Sequence, residues 1–121
     1  GNKIEDFGVG FYTKYGDGGV DLSPIADLMK SEVFLLAKKL GVIDSIQQAA
    51  PTDGLWGDDR TDEDQMGATY NELEWAMKHV NSTSKNNTDR QKEVLAIYKK
   101  LHGQNQHKIQ PIPVCEIPAD L

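Results

Sequence analysis

Cysteine is nearly absent. A single one, Cys115, in 121 residues rules out an internal disulfide framework. With no CxxC pair and no zinc-like spacing to His79, His102 or His107, no zinc site is expected, and Cys115 reads as a small core residue. The chain has no apolar run near the ~20 residues of a membrane span. It also lacks basic excess: 13 Lys+Arg against 19 Asp+Glu leave a formal charge of −6, which argues against sequence-independent nucleic-acid binding. Any phosphate handled here must be met locally by a few cations. No signal-peptide pattern, repeat or low-complexity tract is present, and the sequons at Asn81 and Asn86 are too common by chance to carry weight. A reducing, cytoplasmic setting is expected. The abrupt start at Gly1-Asn2-Lys3, without an initiator methionine, reads as a fragment.

What is there suits one modest domain with a small core: 38% hydrophobic and 26% charged residues. Glycine and proline divide it. Ser23 as cap, Pro24 at the first helical position and Ile25, Leu28, Met29, Val33, Leu36 and Leu40 at helical spacing predict a helix from Ser23 that Gly41 stops. Val42 to Ala50 predicts a short helix ended by Pro51, and Pro51 to Arg60 a mobile surface loop. Thr61 and Asp64 resemble a capping box ahead of a helix running from about Glu63 or Thr69 to His79, with Tyr70, Leu73, Met77 and Val80 on one face. After the linker NSTSKNNT, Asp89 to Leu101 carries Val94, Leu95, Tyr98 and Leu101 on one side and should end at Gly103. The proline-bearing HKIQPIPVCEIPADL should be extended. Only GVDLSP and, more weakly, IQPIPV look like strands, so the content is mainly helical, and one strand ahead of a helix suggests a piece of an α/β unit.

The densest chemistry lies in FYTKYGDGGVDLSPIADLMK, Phe11 to Lys30. Gly16, Gly18 and Gly19 around Asp17 allow positive φ and could present backbone N–H groups to an anion; alone they are equally a tight turn between Tyr15 and Val20. Lys14 precedes the turn, Asp21 follows it, and Lys30 falls about two turns into the predicted helix, where Asp27 offers an ordinary surface partner. In DDRTDEDQMG, Asp62, Asp64 and Gly67 match positions of a calcium loop, but Met66 and Leu73 stand where oxygen ligands are needed, so a solvated loop and helix start is the better reading. His107-Lys108 is either an anion clamp or two exposed loop residues. Trp75 belongs to a packed helix, whereas Trp56 in its glycine loop could cover a ligand. Glu5 and Asp6 offer oxygen ligands suited to magnesium on a substrate phosphate, or are two solvated acids.

Together, GNKIEDFGVGFYTKYGDGGVDLSPIADLMKSEV, APTDGLW, RTDEDQMGATYNELE and QHKIQPIP resemble the carboxy-terminal part of ammonia-dependent NAD synthetase, across almost the whole chain. The resemblance implies a homodimeric α/β enzyme of the adenine-nucleotide α-hydrolase type, with residues 1–121 forming the carboxy-terminal part of one synthetase domain. It implies activation of deamido-NAD with ATP and magnesium through an adenylated intermediate, then amidation by ammonia. By the same resemblance, Lys14 and Asp21 match deamido-NAD-binding positions, as do His107 and Lys108; Lys30 and Thr52 match ATP-binding positions. The magnesium ligand falls on Glu5 when counted from the start of the segment. Counted back from FYTK, the spacing is one residue longer than in many members and the place falls on Asp6; Glu5 is the assignment adopted. Pro51 to Gly67 corresponds to a loop expected to order over bound substrate. The family's SGG-x-D-S pyrophosphate loop is absent from these residues, so the fragment alone is expected to be inactive, with mobile loops and a tendency to self-associate. Two other readings are a noncatalytic nucleotide-binding or interaction module, and the synthetase part of a glutamine-dependent enzyme.

Overall fold

In the computed structural model, residues 1–120 are described, and their regular elements are all helical. A π-helical segment, Ile4–Val9, is followed by α1 (Lys30–Lys39), α2 (Asp44–Gln47), α3 (Asp62–Met66), α4 (Tyr70–His79), α5 (Asp89–Gln104) and α6 (Gln106–Ile109). No strand occurs among the described residues. GVDLSP and IQPIPV instead form irregular chain, so the α/β character expected from the sequence has no sheet here.

The core lies where α4 packs on α5, with the π-helical segment across both. Ile4, Val9, Met66, Ala68, Tyr70, Leu73, Ala76, Val94 and Tyr98 fill it, while Met77, Val80, Leu95 and Leu101 pack at its edge, as the helical spacing predicts. Asn2 fixes the start of the π-helical segment: its buried side-chain oxygen accepts the N–H groups of Ile4 and Glu5 at 3.1 and 3.2 Å.

The helix predicted from Ser23 begins at Lys30. Ser23 to Leu28 forms turns instead, with Ala26 N–H on the Ser23 carbonyl and Leu28 N–H on that of Ile25. Leu28 in turn gives its carbonyl to Lys3 N–H at 2.8 Å, and Met29 is extended. This tertiary bond outcompetes the local propensity for an earlier start. Two carboxylates then secure the new N-terminus. Glu32 accepts Met29 N–H at 2.7 Å, and buried Glu74 of α4 accepts both the N–H and the hydroxyl of Ser31 at 2.8 Å. At the other end Gly41 stops α1 as predicted. It adopts φ +70°, and Val42 N–H reaches the Ala37 carbonyl while Gly41 N–H reaches Lys38, the double closure of a Schellman cap. The periodic residues of α1 are not core, however: no residue of α1 is buried, and Leu35 and Leu40 are about 70% exposed.

The capping box of Thr61 and Asp64 is present, but the helix it opens is a single turn. Gly67, at φ +79°, ends α3, and a second box, Thr69 with Glu72, opens α4. Gly103 does not end α5. The helix continues to Gln104 because Asn105 is anchored across the core, its side-chain amide donating to the Val9 carbonyl at 2.8 Å. The Asn105 carbonyl then starts α6, so His107 to Ile109 is helical rather than extended. Cys115 lies on the exposed tail, not in the core, since nothing packs over the proline-rich segment.

Candidate ligand-binding site

A cavity of about 360 Å³ opens between the π-helical segment, the Phe11–Asp17 turn, the start of α1 and the loop 51–62. Glu5, Lys30, Thr52 and Lys108, four of the seven residues singled out by the sequence, line it, joined by Asp17, Asp53 and Asp62. Lys30 is the first residue of α1 rather than two turns into it, and its partner is not Asp27, which pairs with Lys3 at 2.9 Å. The Lys30 ammonium instead meets Glu5 Oε1 at 3.0 Å, both side chains largely shielded from water. Burial pushes the Glu5 carboxyl up, but the Lys30 hydrogen bond and charge, with a hydrogen bond from Tyr70, outweigh it and hold Glu5 below the usual glutamate range.

Behind this pair sits Tyr70, the first residue of α4 and 5% exposed. Its hydroxyl lies 2.8 Å from Glu5 Oε1 and 3.0 Å from Asp62 Oδ2. Burial, with the two neighbouring carboxylates, drives the phenol far above the ordinary tyrosine range, so it remains a hydroxyl. Asp62, raised above the usual aspartate range by burial and by the Glu5 charge, keeps Oδ1 buried without a partner.

Asp6, next in sequence to Glu5, faces elsewhere. It lines a second cavity of about 140 Å³ with Tyr12, Asp17 and Lys108. Burial, reinforced by the charges of Glu5 and Asp17, holds it above the usual aspartate range.

Lys108 stands between the two cavities. It donates to the carbonyls of Gly10 and Tyr12 at 3.0 and 2.7 Å, and the Tyr12 hydroxyl donates to the Lys108 carbonyl. Two of its three N–H groups are thereby committed to holding the Phe11–Asp17 turn, leaving one for a ligand. Burial lowers its pKa. His107 is separate. Exposed, it takes Lys14 Nζ on Nδ1 at 3.2 Å, a contact that requires Nδ1 to be unprotonated because an ammonium only donates. Asp21 is exposed and makes no hydrogen bond or ion pair among the described residues, so Lys14 and Asp21 are not brought together here.

The glycine turn works differently from the sequence reading. None of Gly16, Gly18 and Gly19 has positive φ. What requires glycine at 18 is close approach: a Cβ there would sit 2.6 Å from the Tyr12 ring and 2.9 Å from the Lys14 carbonyl. Asp17 closes the turn by accepting Thr13 N–H at 2.7 Å.

The loop 51–62 forms one wall and is tied to itself. Asp62 N–H meets the Pro51 carbonyl at 2.9 Å; the Thr52 hydroxyl donates to the Arg60 carbonyl and accepts Gly54 N–H. Arg60 stacks over exposed Trp56, which does not line the cavity. Sequence reasoning missed Tyr70 and Asp53 as site residues, and it set Asp62 aside as part of a solvated loop, whereas its side chain is buried. Tyr70 counted only as helical core, and the acidic run carried no sign of which carboxylate turns inward.

The NAD synthase family model matches residues 1–112. The chain is 39% identical over 117 residues to an NH(3)-dependent NAD(+) synthetase of Archaeoglobus fulgidus, covering 97% of this chain and 45% of that protein. It is 49% identical over 80 residues to one of Methanococcoides burtonii, covering 66% of this chain and 30% of the relative. The solved structure of NMN synthetase from Francisella tularensis superposes with a TM-score of 0.77 at 34% identity, over 98% of this chain and 44% of that one. The chain thus spans less than half the length of these relatives. With the match running through every segment that builds the two cavities, the chain belongs to the NAD synthase family.

Proposed function

We propose that the full-length protein carrying this chain is an ammonia-dependent NAD synthetase, a ligase of the adenine-nucleotide α-hydrolase type acting as a homodimer in the cytoplasm. Residues 1–121 supply the carboxy-terminal part of its synthetase domain. The observation that carries the reading is the convergence of Glu5, Lys30, Thr52 and Lys108 on one cavity.

On this reading the nicotinate carboxylate of deamido-NAD attacks the α-phosphorus of ATP and pyrophosphate leaves; ammonia then attacks the acyl carbon and AMP leaves. Lys30 takes ATP phosphate oxygens, a compact cation suited to that role. Without ligand, Lys30 and Glu5 neutralise each other at 3.0 Å; with nucleotide bound, each exchanges that partner for one of opposite charge. The donor chemistry fits magnesium: the carboxylates of Glu5 and Asp62 line the same cavity, hard oxygen ligands both. Glu5 would hold the ion, which supplies charge neutralisation at the phosphates. Supporting Glu5 over Asp6 is the π-helical segment itself. A π-turn closes i→i+5 bonds and holds one residue more than an α-turn, which accounts for the longer spacing to Lys14 while leaving Glu5 on the cavity. Lys14, His107 and Asp21, which line neither cavity, serve deamido-NAD in the same reading, and Lys108 gives its free N–H. Thr52 must release the Arg60 carbonyl to donate its one hydroxyl proton to ATP, so loop 51–67 rearranges as it closes over substrate and excludes water.

A second reading is favoured by the likeness to NMN synthetase: the acid counterpart of NMN, a mononucleotide, as the amidated substrate. One assay tests both. The full-length protein is given ATP, magnesium and either ammonium or glutamine, with either deamido-NAD or nicotinate mononucleotide. NAD formed in preference, and lost on Lys30→Ala, supports the synthetase reading; NMN in preference moves the substrate to the mononucleotide. Product only with glutamine reassigns the nitrogen donor. No amide product from any combination leaves a noncatalytic binding module.

A further inference from the structure

Tyr70 is the hub of a buried polar network that the functional reading does not use. Its single hydroxyl lies between Glu5 Oε1 and Asp62 Oδ2, and its ring lies under the Lys30 ammonium, 4.7 Å from ring centroid to Nζ. One side chain therefore touches both members of the Glu5–Lys30 pair. It touches them from behind. Tyr70 does not line the main cavity but the adjacent one, with Ser31, Phe34, Glu63 and Asn71. Its own position is fixed twice over, by burial in the core and by its backbone N–H on Glu63 at 2.9 Å. A phenol carries one proton, so Tyr70 cannot donate fully to both carboxylates. Asp62, tied through its N–H to Pro51, links the same hydroxyl to the loop that walls the site.

We propose that Tyr70 is a positioning residue that holds the Glu5 carboxylate in the geometry for a divalent cation, while Asp62 couples this geometry to the 51–62 loop. The inference rests on the synthetase reading. Its physical basis is that a carboxylate is fixed by the hydrogen bonds on both its oxygens: the Asn2 N–H holds Glu5 Oε2 at 3.3 Å, and Tyr70, with Lys30, holds Oε1. Loss of a hydrogen-bond partner of a metal ligand typically weakens metal affinity about 10–100-fold. Lys30 cannot do this alone, because it must leave Glu5 to serve phosphate.

The test uses the full-length protein with a non-hydrolysable ATP analogue, titrating Mn²⁺ and reading free ion by electron paramagnetic resonance. Tyr70→Phe keeps the ring under Lys30 and removes only the hydroxyl. Mn²⁺ affinity is expected to fall about tenfold, and the magnesium half-saturation of amide formation to rise by the same factor, with KM for the nicotinate nucleotide unchanged. Tyr98→Phe makes the same chemical change at a tyrosine that is equally buried but makes no side-chain hydrogen bond among the described residues, and should leave Mn²⁺ affinity as it was. Wild-type Mn²⁺ affinity in a folded Tyr70→Phe variant overturns the inference, as does an equal fall in Tyr98→Phe. Should Tyr70→Phe fail to fold, Asp62→Asn is compared with the double variant Asp62→Asn/Tyr70→Phe, in which the amide removes the buried charge that the lost hydroxyl would leave unpaired. The double variant should bind Mn²⁺ about tenfold more weakly than Asp62→Asn alone, and equal affinity in the two overturns the inference. If wild-type protein neither binds Mn²⁺ with the nucleotide nor forms amide, the synthetase reading itself has failed, which the variants alone would not produce.

Discussion

Replacing Glu74 by glutamine tests whether the fold sets the site through the N-terminus of α1. Glu74 Oε1 and Oε2 accept the Ser31 N–H and hydroxyl, each at 2.8 Å, from a side chain that is 6% exposed. Charge-assisted bonds are roughly twice as strong as neutral ones, so each bond loses about 1 kcal/mol on going to the amide. The carboxylate also faces the positive end of α1, worth about 1 kcal/mol more. The sum is about 3 kcal/mol, which for a chain of about 150–250 residues lowers the melting midpoint by about 6–12 °C. Because Ser31 adjoins Lys30, the frayed first turn should also raise KM for ATP, while KM for the nicotinate nucleotide holds. Calorimetry and initial rates on the full-length protein read both. A midpoint shift below about 2 °C, or a full shift with KM for ATP unchanged, refutes the reasoning.

Leu73→Ala, at a fully buried position in the α4–α5 core, should destabilise by about 3–5 kcal/mol in urea denaturation, being a large-to-small change with no exposed route to collapse. Gly18→Ala forces a Cβ to within 2.6 Å of the Tyr12 ring, so the Phe11–Asp17 turn must shift; KM for the nicotinate nucleotide should rise while Mn²⁺ affinity, set at Glu5, stays. The Arg90–Glu72 bridge on the surface of α4 and α5 gives a pH test. The Arg90 hydrogen bond, with the Thr69 N–H, holds Glu72 down at about 2 against an ordinary 4.5. A depressed carboxylate stabilises above its unfolded value and loses that contribution as pH falls through the folded one. Arg90→Ala should therefore cost under about 1 kcal/mol at neutral pH, the bridge being exposed, and match wild type once the pH has fallen from 4.5 to about 2.

Much of the helical plan was legible, because caps and periodicity are local: Thr61 with Asp64, the Gly41 stop and the Val94–Tyr98 face all stand. Where the reading failed, a long-range contact won. Lys3 N–H on the Leu28 carbonyl delays α1, and Asn105 on Val9 carries α5 past Gly103. The exposed apolar residues of α1 show the same limit, since periodicity reports a face and not what covers it. Within the site, Glu5, Lys30 and Lys108 were singled out by their charge, and Thr52 only by the family resemblance; all four line the cavity. Tyr70 and Asp62 were not read as site residues, because a tyrosine at core spacing and one acid among many carry no local mark of the space they turn toward.

The central claim is that Glu5, not its neighbour, is the carboxylate that serves the nucleotide. Magnesium-dependent amide formation by the full-length protein, measured for Glu5→Gln and Asp6→Asn side by side, tests it most directly. The account predicts that Glu5→Gln abolishes the magnesium response while Asp6→Asn keeps it. Loss in Asp6→Asn with a normal response in Glu5→Gln would contradict it.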